Sequence, residues 1–249
     1  MRATEIWSSI EQEAQQAIVA NPLDSRMLQS AVLSRSGLAG AVAFQIERRL
    51  AESEAPGLFR AVADEAFAAQ PDLVELAAQD IAGIALRDPA LPGLLPILLN
   101  FKGFVALQAW RVSNWLWCEG RSEAAALLQN ASSCALHITI HPSAQIGAGV
   151  FLDHGAGIVI GSNVIVGDEA TILQEVTIGR HSGDLANAPR IGGRVLLGAG
   201  ATILGSATIG EGARIGASAL VVDTDVPPNF TAVGNPARLT AGSTWRSAG

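Results

Sequence analysis

Cysteine is almost absent from this chain: Cys118 and Cys134 are the two in 249 residues. That is too few for a disulfide framework and suits a reducing compartment. Basic residues are also scarce, 16 Lys and Arg against 23 Asp and Glu, for a net charge of −7. A surface of that sign argues against generic nucleic-acid binding. Long apolar runs are missing. The first 13 residues carry Glu5, Glu11 and Glu13 and no apolar run, so no signal peptide is expected there. The longest apolar stretch, 91–99, contains Pro92, Gly93 and Pro96 and is far too short for a membrane span. These shortages together predict a soluble cytoplasmic protein with no membrane or nucleic-acid partner. Apolar residues, by contrast, make up 49% of the chain, enough for the core of one large or two modest domains.

The second half is periodic. Ile191, Leu197, Ile203, Ile209, Ile215 and Val221 stand six apart, as do Ile160, Val166, Ile172 and Ile178, and before them Ile140, Ile146, Leu152 and Ile158. A period of six is neither helical nor that of an ordinary strand. It marks a parallel β-helix of hexapeptide repeats, three to a triangular coil, with one apolar side chain of each repeat pointing into the prism. Glycine often follows the apolar residue (Gly161, Gly167, Gly179, Gly192, Gly198, Gly210, Gly216), and a second register is small: Ala201, Ala207, Ala213, Ala219. Small side chains let the chain turn at each edge, and glycine tolerates strained turn angles. Coils stack at about 4.8 Å, held by backbone hydrogen bonds, so stability comes from neighbour on neighbour.

Residues 1–136 read as helical, rich in Ala, Leu, Glu, Gln and Arg. Asn21-Pro22, Ala55-Pro56-Gly57, Gln70-Pro71-Asp72 and Asp88-Pro89 divide them into helices of ordinary length. Phe104, Leu107, Ala109 to Arg111 and Trp115 have helical spacing, Gly120 closes that helix, and a last helix runs from Ser122 to about Leu136. Trp110, Trp115, Trp117, Phe101 and Phe104 read as core or subunit contacts rather than a cofactor box. The prism is expected over 137–223 with an interrupting polar loop at 180–190, and 224–249 as an extended C-terminal tail. The fold class is thus α + β, an all-helical N-terminal domain followed by a parallel β-helix.

Several stretches carry a resemblance: Arg87-Asp88-Pro89-Ala90, Lys102-Gly103-Phe104, Ala106-Leu107-Gln108-Ala109-Trp110-Arg111, Ile140-His141-Pro142, Leu152-Asp153-His154, Ile172-Leu173-Gln174 and Gly234-Asn235-Pro236-Ala237-Arg238. Over roughly residues 5–238 the chain resembles bacterial serine O-acetyltransferases. The resemblance implies a left-handed β-helix, acetyl-CoA as co-substrate with no metal, L-serine or a related small hydroxy amino acid as acceptor, and a trimer or a dimer of trimers. It also implies roles. His154 matches the family's general base, and an imidazole titrating near neutrality suits that task. His154 follows inward-facing Leu152 by two residues, at or near the prism surface. Asp153 matches the family aspartate that holds the serine amino group, with a turn beside Gly155 as the plain alternative, and Asp88 matches a second substrate-contacting aspartate, for which an Asp-Pro helix boundary accounts almost equally well. Gly179, Ala199, Arg214 and Arg238 match the CoA groove between adjacent prisms, where arginine suits phosphate.

The chain also departs from that family. The aspartate that partners the base is here Thr139, which can hydrogen-bond an imidazole but cannot balance its charge; Glu175 is a candidate substitute. The Arg-His-Pro that ends the family's loop reads Asn187-Ala188-Pro189, so Arg180 and His181 are the candidates to hold the acceptor carboxylate. Losing a charged clamp costs a few kcal/mol. The family grips a sulfhydrylase through a C-terminal isoleucine, and this sequence ends Arg246-Ser247-Ala248-Gly249, so that complex is not expected. Two further readings compete with the enzyme: a weak or inactive homologue with a binding or regulatory role, and a zinc lyase on a trimeric prism. The latter needs three converging histidines, and only His137, His141, His154 and His181 exist.

Overall fold

The computed structural model describes residues 2–50, 56–181 and 187–240. It divides into two compact units, residues 1–138 and 139–249.

The first unit holds α1 (Ala3–Ala20), α2 (Ser25–Leu28), α3 (Leu38–Leu50), α4 (Leu58–Ala69), α5 (Asp72–Arg87), α6 (Leu95–Asn100), α7 (Lys102–Cys118) and α8 (Ser122–Leu136). Four of the breaks fall at the Pro-containing stretches read from the sequence, while those before α3, between α6 and α7 and between α7 and α8 do not, and α2 runs on into a π-turn at Gln29–Leu33 that the composition does not announce. Gly120, in the left-handed region at φ 74°, turns the chain after α7. Helix α7 is the centre: 13 of its 17 residues are buried, so it is apolar all round rather than on one stripe. Its one charge inside, Arg111, forks onto Asp80 of α5 with Nε to Oδ2 at 3.0 Å and Nη2 to Oδ1 at 3.0 Å. Gln108 Nε2 donates to the same carboxylate at 2.9 Å. Three helix starts are completed by distant glutamates. Glu75 accepts from Ala3 N–H, Glu47 from Gly57 and Arg60 N–H, and Glu13 from Leu94 and Leu95 N–H. Each carboxylate takes backbone donors that a helix leaves unpaired at its N-terminus.

The second unit is a parallel β-solenoid with three faces. The first face stacks Thr139–Ile140, Val159–Ile160, Thr177–Gly179, Thr202–Leu204 and Leu220–Val222. The second stacks Gln145–Ile146, Ile165–Val166, Arg190–Ile191 and Thr208–Ile209. The third stacks Phe151–Leu152, Thr171–Ile172, Leu196–Leu197, Arg214–Ile215 and Thr231–Val233. In-register parallel pairs, such as Ile140 with Ile160 and Ile172 with Leu197, put the periodic apolar residues in columns inside the prism. The alanine register lies inside as well: Ala201, Ala207, Ala213 and Ala219 are fully buried.

Two expectations change. The glycines after the apolar residues are not there for strained angles, since none of the seven has a left-handed φ. Most are needed because the next coil's backbone passes too close. A Cβ on Gly167 would lie 2.6 Å from Gly193 N, and one on Gly198 would lie 2.7 Å from Ala217 N. Strand pairing also continues past residue 223. Val226 bridges to Ile209, Thr231–Val233 pairs with Arg214–Ile215, and Arg238–Thr240 folds back antiparallel onto Thr231–Val233. Val226 and Ala232 supply the buried side chains of one more coil, and the returning strand covers a backbone edge that would otherwise be open.

Candidate active site

Insertions lengthen the repeat at two places, and several of the candidate residues gather at them. The first break follows Leu152. The next inward residue paired in the ladder is Ile160, eight positions on, because Ile140 pairs with Ile160. Ile158 therefore belongs to the small inner register, not to the column with Leu152 as its six-residue spacing suggested. Two extra residues have been added to the edge between the third and first faces. Asp153 stays in the ladder, its N–H on Ile172 O at 2.8 Å. Beyond it the bonds become local: Gly155 N–H to Asp153 O, Ala156 N–H to His154 O and Ile158 N–H to Gly155 O. His154, Gly155 and Gly157 all have left-handed φ values of 54°, 67° and 74°. The inserted turn lifts His154 out of the wall, and its side chain is 77% exposed.

Asp153 Oδ1 lies 3.8 Å from His154 Nε2, beyond hydrogen-bond range. Thr139, at the position of the missing aspartate, gives its N–H to Ile158 O and pairs with Val159. It is thus the residue of the coil below on which the His154 turn lands. Glu175 lies on the coil above. Its N–H bonds Ala156 O at 2.7 Å, and Gly157 has no side chain where a Cβ would come within 3.1 Å of Glu175 Cγ. Ala199 continues the same edge one coil further, its carbonyl taking Ser218 N–H. Gln174, Ala199 and the His154 turn therefore form one column.

The second break is at 180–190, on the edge between the first and second faces. Residues 182–186 lie outside the described residues. Arg180 Nη2 donates to Ser162 Oγ at 2.9 Å. His181 Nε2 meets Asp223 Oδ2 at 2.5 Å. Asp223 raises the His181 pKa, first through that hydrogen bond and then by its charge, while Ser206 N–H and His181 lower the pKa of Asp223. Below Arg180, His141 accepts Ser143 N–H at Nδ1 (3.1 Å), which leaves Nε2 as the protonated nitrogen of the neutral ring. Burial, and secondarily the Arg180 charge, lowers its pKa. Ala188 is buried and Asn187 half-buried, so the positions of the family's cation pair carry no charge.

The other candidates lie on their own elements. Gly179 ends a first-face strand with open space where a Cβ would stand. Arg214 and Arg238 are exposed on the third face, in strands that each pair with Thr231–Val233. Asp88 caps the end of α5, where its Oδ1 accepts Ala90 N–H at 3.1 Å. Within one chain the structure thus groups Asp153, His154, Glu175 and Ala199 at one edge, and Arg180 and His181 at the next edge. Sequence reasoning missed Asp223 and Ser162 as their partners; only the coil register could have revealed them. Among the described residues no group of three or more His, Cys, Asp or Glu could hold a metal ion, so the three-histidine zinc arrangement is not formed there. No helix there is long and apolar enough to cross a membrane.

The six-residue solenoid is of the hexapeptide-repeat class, and a model of bacterial transferase hexapeptides (six repeats) matches residues 188–223. The helical unit narrows this, since residues 6–109 match the serine acetyltransferase N-terminal model. The serine acetyltransferase of Salmonella typhimurium is 40% identical over 238 residues, which cover 94% of this chain and 86% of that protein. A serine acetyltransferase solved in complex with CoA superposes with a TM-score of 0.91 at 36% identity, over 96% of this chain and 100% of that one. Another, solved with cysteine, gives 0.92 at 35% identity, over 96% and 94%. The chain belongs to the serine acetyltransferase family and is a transferase.

Proposed function

We propose that the chain moves the acetyl group of acetyl-CoA to the hydroxyl of L-serine or a related small hydroxy amino acid, with His154 as general base. The observation that carries this is the His154 turn: an exposed imidazole raised from the wall of a family solenoid by an inserted, glycine-assisted turn. The imidazole takes the hydroxyl proton as the oxygen attacks the thioester carbonyl. The C–S bond breaks, and CoA leaves as the thiolate, which recovers the proton. Asp153, 3.8 Å from the ring, meets the ammonium of the acceptor. Arg180 supplies the guanidinium for the acceptor carboxylate in place of the cation absent at Asn187.

Acetyl-CoA fits the remaining groups. A pantetheine arm can bond to exposed backbone along the Ala199 edge and beside Gly179, while Arg214 and Arg238 offer charge to phosphates. A relative bound to CoA and one bound to cysteine support this donor and a pocket for a small α-amino acid, since cysteine differs from serine by one chalcogen. Because Arg180 and His154 stand at different edges, the reading includes assembly as a homotrimer or dimer of trimers that juxtaposes edges. It also places the protein in the cytoplasm, where exposed thiols such as Cys118 and Cys134 stay reduced.

Purified protein, acetyl-CoA and a panel of L-serine, L-threonine and L-homoserine, followed by thiol release, tests the activity. Release with at least one acceptor is expected, and none with any acceptor sinks the reading. A second reading, a catalytically weak homologue with a binding role, is favoured by Thr139, which gives the base no charged partner on the coil below. Turnover above about 1 per second, within the ordinary range for enzymes, excludes it.

A further inference from the structure

The edge that carries Arg180 also holds a contact that acetyl transfer does not require. His181 stands where the chain leaves the third coil, and Asp223 stands at the same edge two coils on, about 10 Å along the solenoid axis. Their side chains nevertheless meet, Nε2 to Oδ2 at 2.5 Å. Gly205 occupies the coil between. A Cβ there would overlap Asp223 Oδ1 and come within 2.8 Å of His181 Cδ2. Its φ of 76° asks for glycine as well, so the step is bare by two requirements. Asp223 is braced from the same coil, with Ser206 N–H at 2.9 Å and Ser206 Oγ at 3.2 Å on Oδ1, which leaves Oδ2 for the ring.

The charges agree with this geometry. The histidine is shifted toward its charged form by Asp223 and by a hydrogen bond to its own backbone; the aspartate is held ionised by Ser206 and His181. Among the described residues no other charged group is a cause of either shift, and Arg180 acts on His141. The ion pair is complete between the lowered aspartate value and the raised histidine value, a window wider at both ends than the free groups would give.

We propose that Asp223 is a positioning residue of the acceptor site: by gripping His181 across the bare step at Gly205, it fixes the backbone of residues 180 and 181 and so aims the Arg180 guanidinium at the carboxylate of an α-amino acid. The far side of Arg180 is already tied to Ser162 Oγ, so the two contacts hold the arginine from the coil below and from two coils above. The proposal rests on the acetyl-transfer reading, in which Arg180 receives that carboxylate. In this proposal His181 serves the acceptor through Arg180, since its Nε2 faces Asp223.

The test uses the full chain, L-serine as acceptor, and Asp223→Asn, His181→Gln and the double variant. Histidine ring NMR follows the four imidazoles, with His181→Gln assigning the signal. Asp223→Asn should lower the His181 titration midpoint and raise the KM for L-serine about two- to fivefold, the scale of an exposed ion pair. The KM for acetyl-CoA should hold and kcat should stay within twofold. The double variant should be no worse than the worse single variant, because the two residues act through each other. An unchanged serine KM in Asp223→Asn, an unchanged midpoint, or additive losses would each overturn the proposal. Absence of thiol release by the wild type would instead remove the acetyl-transfer reading on which it stands.

Discussion

Two glycine-to-alanine substitutions should separate architecture from ligand binding. Gly167 and Gly179 both follow a buried apolar residue of the repeat, and neither has a left-handed φ. An L side chain therefore costs nothing in backbone angle at either. A Cβ on Gly167 would lie 2.6 Å from Gly193 N and 2.8 Å from Gly192 C. Ordinary contact begins near 3.5 Å, so the coils must part by almost 1 Å or the strand must shift. Overpacking of this kind costs about 1–3 kcal/mol. For a unit of this size that lowers Tm by about 5–15 °C. A Cβ on Gly179 meets nothing within 4 Å. Gly179→Ala should therefore be neutral or stabilising by about 0.4–1 kcal/mol, from the reduced freedom of the unfolded chain. If acetyl-CoA lies against that backbone, the same methyl group should raise its KM. Thermal unfolding and thiol-release kinetics on both variants read this out. A Gly167→Ala protein as stable as the wild type would refute the close-approach argument. A Gly179→Ala protein with unchanged KM for acetyl-CoA would remove Gly179 from the donor site.

Other perturbations follow from the same physics. Asp80→Asn leaves the buried Arg111 guanidinium without its counter-charge and should cost about 3–5 kcal/mol, while Asp80→Leu with Arg111→Met should recover most of it; a Tm drop of under 2 °C for the single variant would show that the pair carries little. Glu13→Ala removes the acceptor for Leu94 and Leu95 N–H at the start of α6 and should cost about 1–2 kcal/mol in urea unfolding. His141 has a lowered pKa, so its contribution is full above its ordinary value of 6.5 and is lost as pH falls through the folded value below that. His141→Asn should flatten this part of the stability profile between pH 7 and 5, and an unchanged slope would contradict the assignment.

Much of the fold is legible in the sequence because a hexapeptide solenoid is quasi-one-dimensional: Ile191 to Val221 announce their column by spacing alone. The exact coil register is not, because an insertion can imitate the period. Ile158 sits six from Leu152 and is buried, yet the ladder passes through Ile160, and the paired glycines at 155 and 157 were the sequence signal of the two added residues. The repeat glycines were visible, but their reason was not, since contact with the next coil is a property of stacking rather than of any local turn. The Leu152-Asp153-His154 stretch pointed to the prism surface, and His154 is exposed there. Asp223 was not legible, because it reaches His181 across 42 positions and belongs to no family stretch named in the sequence. The buried Asp80–Arg111 pair escaped because it joins two helices 31 positions apart, which spacing within either helix does not announce.

The central claim is that the exposed imidazole of His154 takes the acceptor's proton during acetyl transfer. Its most direct measurement is the rate of CoA thiol release with saturating acetyl-CoA and L-serine for the wild type and His154→Asn, a substitution whose short polar side chain tolerates the left-handed backbone of the turn. The account predicts equal Tm values and a rate lower by about 10²–10⁴-fold in the variant. A variant that folds and turns over at the wild-type rate would contradict it.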